Sequence, residues 1–138
     1  MNSASLKEWL FSHDGARRVL LVDDDRDIVQ GAAIELQTHG FDVLTAYDGR
    51  RALELAGKQP LDAILLDIRM PGMDGLKVLQ ELRARPATAD VPVAMMSGSV
   101  EDKCAALRSG AQYFLTKPYR AAELMEAVES MSTAMAGR

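Results

Sequence analysis

"VLLVDDDRD", residues 19–27, is the stretch from which the rest of the chain is read. Four apolar residues run straight into Asp23, Asp24 and Asp25, with Asp27 just beyond. The apolar run reads as a buried strand, and carboxylates gathered at its end repel one another. At an effective dielectric near 20, two charges about 4 Å apart cost roughly 4 kcal/mol. That is a large part of the ~5–15 kcal/mol by which a whole domain is stable. Something elsewhere in the chain, or bound to it, has to balance this charge.

Outward from that strand, strand-like and helix-like segments alternate. Ile28, Ala32, Ala33 and Leu36 recur at helical spacing, and the helix should stop near Gly40, which can take the left-handed conformation after a C-terminus. "FDVLTA" (41–46) alternates like a strand and "DGRRALELAGKQ" (48–59) returns to helix. "DAILLD" (62–67) is a buried strand, and "MDGLKVLQELRAR" (73–85) is a helix starting near Asp74. "VPVAMMS" (91–97), "EDKCAALRSG" (101–110), "QYFLT" (112–116) and "RAAELMEAVESMSTAM" (120–135) continue as strand, helix, strand and helix. In the last of these, Leu124, Val128, Met131 and Met135 form one apolar stripe. Repeated strand–helix units predict an α/β fold, a parallel sheet with helices on both faces. Strands this uniformly apolar are what a sheet covered on both sides requires.

Composition narrows the function. The chain has 138 residues, 48% apolar and 26% charged, which suits one globular domain. A net charge of −4 offers no basic surface for direct contact with nucleic acid. No apolar run approaches the ~20 residues of a membrane span, and the N-terminus lacks the apolar core of a signal peptide. Cys104 stands alone, which excludes an internal disulfide and fits a reducing cytoplasm. His13 and His39 lie too far apart in sequence to suggest a metal site.

In doubly wound sheets, ligands bind beyond the carboxyl ends of the strands. Here those ends carry Asp23, Asp24 and Asp25 on the first strand, Asp67 on the third, Ser97 on the fourth, and Thr116 and Lys117 on the fifth. Neighbouring strands lie ~4.8 Å apart, so these groups can share one small cavity. A hard divalent cation such as Mg²⁺ would remove the repulsion by taking oxygens from two or three of the acids while keeping several waters. Asp25 and Asp27, falling in the first helical turn, read instead as helix-capping acids.

"LLVDDD", "ILLDIRMPGMDG", "MMSGS" and "FLTKPY" resemble, in order and spacing, the four signature segments of the receiver domains of two-component response regulators. The resemblance covers residues 18 to about 134, with "DIRMPGMDG" its most specific part. It implies a five-stranded (βα)₅ flavodoxin-like sheet in the order 2-1-3-4-5. It implies a switch that accepts a phosphoryl group from a histidine kinase or phosphotransfer protein on Asp67. Asp24 would bind Mg²⁺ directly, Asp23 through water, and the backbone carbonyl of Arg69 would add a further ligand. Lys117 and Ser97 would each meet a phosphoryl oxygen, and the Lys117–Pro118 bond would be cis. Phe114 would be the switch aromatic, without a ring hydroxyl, and Tyr113 would face the other way. Arg69 and Ser99 occupy the positions on which the family's dephosphorylation rate depends, and Arg69 could shield or brace the phosphoryl group.

On this reading the protein is a regulator and no enzyme beyond its own phosphorylation and dephosphorylation. Its signal would leave through the face of the fourth helix, fifth strand and fifth helix, toward a partner protein or into a homodimer formed on activation. Residues 18–138 would form the receiver, in a single-domain regulator. Residues 1–17 would be an extension in which Leu6, Trp9 and Leu10 share a helical face. Two rivals belong to other classes. A haloacid-dehalogenase-type phosphatase would use Asp23 and Asp25 as its D-x-D pair, although Asp27 stands where that family has Thr. A receiver-like module that has lost phosphorylation would bind partners constitutively.

Overall fold

The computed structural model describes residues 17–136, so Leu6, Trp9 and Leu10 lie outside the described residues, as does the side chain of Met135. Strands β1 (Arg18–Val22), β2 (Asp42–Ala46), β3 (Ala63–Asp67), β4 (Val93–Ser97) and β5 (Tyr113–Thr116) alternate with helices α1 (Arg26–Thr38), α2 (Gly49–Lys58), α3 (Gly75–Ala84), α4 (Asp102–Arg108) and α5 (Ala121–Ala136). The strands form one sheet, β2-β1-β3-β4-β5, and every pairing is parallel. The expected order holds.

Both faces are covered, as the apolar strands require. Leu20 and Val22 of β1 point to a core shared with Leu53 of α2 and Leu79 of α3, whereas Val19 and Leu21 point to one shared with Leu36 of α1 and Val128 of α5. Every residue of β3 and β4 is buried. Each fully buried Leu or Val is worth ~1.5–3 kcal/mol, so the central strands hold their register firmly. Aspartates start three of the helices: Asp25 accepts the N–H groups of Asp27 and Ile28, Asp48 that of Arg51, and Asp74 that of Lys77. The capping expected of Asp25 is confirmed, and Asp27 lies in the first turn. Gly40 ends α1 with φ +89°. Arg83, at the end of α3, donates to the carbonyls of Val91 (2.8 Å) and Gly110 (2.9 Å), tying α3 to the starts of β4 and β5.

α4 is shorter than the expected 101–110. Glu101 precedes it without a capping side-chain bond, and Asp102, its first residue, is buried and engaged elsewhere.

Candidate functional site

The chain leaves β1 toward β2 on one side and crosses to β3 on the other, so the order reverses between β1 and β3. At such a point the two following loops diverge and open a crevice. Asp23 follows β1 and Asp67 ends β3 at this crevice. Both are almost fully buried, at 1% and 2% exposure, while Asp24 beside them is exposed. One carboxylate oxygen from each of the three lies within 4.8 Å of the others.

Backbone contacts fix the two buried acids. The Asp23 N–H donates to Ala46 O at 3.2 Å. Beyond Asp67, the Ile68 N–H donates to Met96 O and the Gly75 N–H to Ile68 O, at 2.9 and 2.8 Å. α3 therefore starts against the end of β3, and only glycine fits there. A Cβ on Gly75 would strike the Asp67 carbonyl oxygen and sit 2.8 Å from Ile68 Cα. Gly72, at φ +79°, supplies the turn between them.

Lys117 enters from the end of β5, where its N–H donates to Ser97 O at 2.8 Å and its bond to Pro118 is cis, as expected. Its ammonium lies 2.6 Å from Asp23 Oδ2 and 3.2 Å from Asp67 Oδ1. The other Asp23 oxygen accepts the Asp25 N–H at 3.0 Å. Burial pushes the Asp67 carboxyl up and the Asp23 charge pushes it further, against Lys117, leaving it at about 6. Burial would lower the Lys117 ammonium, but its bond to Asp23 and the charges of both acids hold it above the usual lysine value. Two buried acids thus share one ammonium, with the exposed Asp24 beside them. The oxygen-only, strongly negative donor set of Asp23, Asp24 and Asp67 fits a hard divalent cation.

Ser97 ends β4, 1% exposed, but its hydroxyl turns to another partner. It donates to Asp102 Oδ2 at 2.5 Å and accepts the Ser99 N–H at 3.1 Å. Asp102 also takes a bidentate contact from Arg69, with Nε 3.0 Å from Oδ2 and Nη2 2.8 Å from Oδ1. These bonds, Arg69 first and then Ser97, hold the Asp102 carboxyl below its usual range. The Arg69 side chain therefore braces Asp102, where the sequence suggested shielding or bracing of a phosphoryl group.

Phe114 of β5 is half-buried against the core on the α2–α3 side. Tyr113 is exposed and shares a groove with Leu115, Glu123 and Ala127, so the two rings take opposite faces, as alternation requires. Two nearby residues were not singled out by sequence. Asp102 has the sequence context of any acid at a helix start, and nothing local signals its bond to Ser97. Tyr119 packs with the α1–α5 core, and burial first, then the Asp23 charge, raises its phenol.

A family model described as the response regulator receiver domain matches residues 19–129. The transcriptional regulatory protein PrrA of Mycobacterium tuberculosis is 45% identical over 116 residues, which is 83% of this chain and 49% of PrrA. The DNA-binding dual master transcriptional regulator RpaA of a Synechocystis strain is 39% identical over 83% of this chain and 48% of its own length. The chain thus spans about half the length of the curated relatives it matches. The chemotaxis protein CheY4 of Vibrio cholerae superposes with a TM-score of 0.79 at 33% identity, covering 84% of this chain and 98% of CheY4. The receiver domain of the Pseudomonas aeruginosa sensor histidine kinase PA1611, solved with a magnesium ion in its active-site cleft, gives 0.79 at 29% identity, over 86% of this chain and 98% of that one.

Proposed function

The chain belongs to the response regulator receiver domain family, and from that premise we propose that Asp67 is its phosphoryl acceptor, with Lys117 and Ser97 as the groups that receive the phosphoryl oxygens. Receiver domains of this family are phosphorylation-dependent switches of two-component systems, charged by histidine kinases or phosphotransfer proteins. One observation carries the assignment: of the two acids buried at the switch point, Asp23 has both oxygens held, by Lys117 and by the Asp25 N–H, whereas Asp67 meets Lys117 Nζ through Oδ1 alone, at 3.2 Å.

In the transfer, an Asp67 oxygen forms a P–O bond as the P–N bond of a phosphohistidine breaks, and the imidazole leaves with the P–N electron pair. Such transfers depend on positioning and on neutralising charge over the phosphoryl oxygens. Lys117 is already within reach of Asp67 and needs only to release part of its hold on Asp23. The Ser97 hydroxyl has to leave Asp102 to serve a second oxygen. Mg²⁺, held by Asp24, Asp67 and the Arg69 carbonyl and through water by Asp23, would supply the remaining positive charge. The magnesium ion in the similar PA1611 receiver supports this choice of metal.

No observation favours Asp23 as a phosphatase nucleophile, because both of its oxygens are occupied, by Lys117 and by the Asp25 N–H. The chain catalyses only its own phosphorylation and dephosphorylation and passes the signal by protein contact. The α4–β5–α5 face would carry that contact, to a downstream protein or a second copy. The lone, exposed Cys104 suits a reducing cytoplasm.

Incubation with acetyl phosphate and Mg²⁺ tests the assignment by intact mass. One phosphoryl group should add to the wild-type chain and none to Asp67→Asn. Label on Asp23, or full labelling of Asp67→Asn, would overturn it.

A further inference from the structure

Asp102 is a buried acid that the phosphoryl-transfer roles leave unused. It lies 9% exposed at the first turn of α4 and reaches back 33 residues in sequence to Arg69. On one side it accepts both forks of Arg69, two residues past Asp67; on the other it accepts the hydroxyl of Ser97. We propose that Asp102 is a positioning residue that holds the Ser97 hydroxyl away from Asp67 until a phosphoryl group competes for it.

The inference rests on the reading of Asp67 as acceptor, and its force comes from counting protons. A serine hydroxyl has one proton to donate. In this structure that proton goes to a carboxylate, a charge-assisted bond of the stronger class. The hydroxyl's acceptor side is used by the Ser99 N–H. Ser97 can therefore bond a phosphoryl oxygen only by leaving Asp102, so the two acceptors are mutually exclusive. The exchange is balanced in charge. A phosphoryl group brings about −1.5 to −2, while Asp102, once released, keeps its bidentate Arg69 and is not left as an unpaired buried anion.

The same bond reaches α4. α1, α2 and α3 each begin on a capping aspartate, whereas Glu101 gives α4 no side-chain cap. The first turn of α4 is tied down by its own Asp102 reaching to Ser97 and Arg69. Releasing Ser97 therefore loosens α4 where it meets the site, which couples occupancy at Asp67 to this helix.

Beryllofluoride, which mimics the phosphoryl group on an aspartate, is the probe. With Mg²⁺ present, Asp102→Ala should bind it roughly tenfold more tightly than wild type, equivalent to about 1.4 kcal/mol. Before beryllofluoride is added, its amide spectrum should already be displaced at Ser97, Ser99 and α4 toward the bound form. Asp102→Asn keeps the shape with a weaker, neutral acceptor and should fall between; it serves if the alanine variant folds poorly. Glu101→Gln, the exposed neighbour, should behave as wild type. The decisive arm is Ser97→Ala, in which Asp102→Ala should no longer change the affinity. A merely structural Asp102, or an effect through the freed Arg69, would survive that background and overturn the proposal, as would unchanged affinity in both Asp102 variants. If wild type itself takes no beryllofluoride and no label at Asp67, the acceptor assignment fails instead.

Discussion

Replacing Lys117 by Met keeps the length of the side chain and removes its charge. The ammonium now sits 2.6 Å from Asp23 and 3.2 Å from Asp67, two acids that are 1% and 2% exposed. With a carboxylate oxygen of each within 4.8 Å of the other, their repulsion at an effective dielectric near 20 is about 3.5 kcal/mol. The fold avoids this by keeping a proton on Asp67. That carboxyl already titrates at about 6, and it loses the two contributions from Lys117 that hold it down, so it moves higher. The unfolded group titrates near 3.9 in both proteins. Above pH ~6 the wild-type Asp67 is ionised in both states and its linkage levels off, whereas the folded variant still binds a proton that the unfolded chain has lost. The variant therefore keeps losing about 1.4 kcal/mol per pH unit until it passes its own raised value. Near pH 5 both folded proteins hold the proton, and a protonated Asp67 can donate to Asp23 in place of the ammonium. Urea unfolding without metal should show the variant less stable by about 2–3 kcal/mol more near pH 8 than near pH 5. Saturating Mg²⁺ should recover part of the loss at pH 8. Equal losses at both pH values, with no recovery by Mg²⁺, would refute the charge assignment.

Other consequences are directly measurable. Mg²⁺ at ten times its Kd should stabilise the wild type by about 1.4 kcal/mol, raising the melting temperature by roughly 5 °C, and Asp24→Asn should abolish both the rise and the acetyl-phosphate labelling; undiminished labelling in excess chelator would exclude the metal. Gly75→Ala should cost about 3 kcal/mol or more, because its Cβ meets the backbone of Asp67 and Ile68 and not a movable side chain; denaturation with an unchanged midpoint would contradict the packing. Leu79→Ala, fully buried between sheet and α3, should cost ~2–5 kcal/mol in the same assay. With beryllofluoride and Mg²⁺, amide shifts should reach Ser97, Phe114 and residues 101–125; shifts confined to the loops of Asp24 and Asp67 would remove Phe114 from the signal's route.

The amino-acid pattern alone dictates the layers of this protein, because both governing signals are local. Unbroken apolar runs such as Ala63–Leu66 read as strands covered on both faces, and a stripe such as Ile28, Ala32, Ala33 and Leu36 supplies the cover, although the structure buries Val29 with Ala32 and Leu36 and leaves Ile28 and Ala33 half-buried. The same pattern brings Asp23, Asp67, Ser97 and Lys117 to one edge, since parallel strands joined by helices put every carboxyl end on the same side. Which partner each group takes is settled by distances across the sheet, which neither spacing nor residue type encodes. Ser97 lies next in the sheet to the site, yet its proton goes to Asp102, and Arg69, two residues from Asp67, bonds across 33 residues to the same carboxylate. Asp102 reads as a first-turn acid in any helix. Only the packed α4, placed over the end of β4, turns it into the acceptor that decides where Ser97 points.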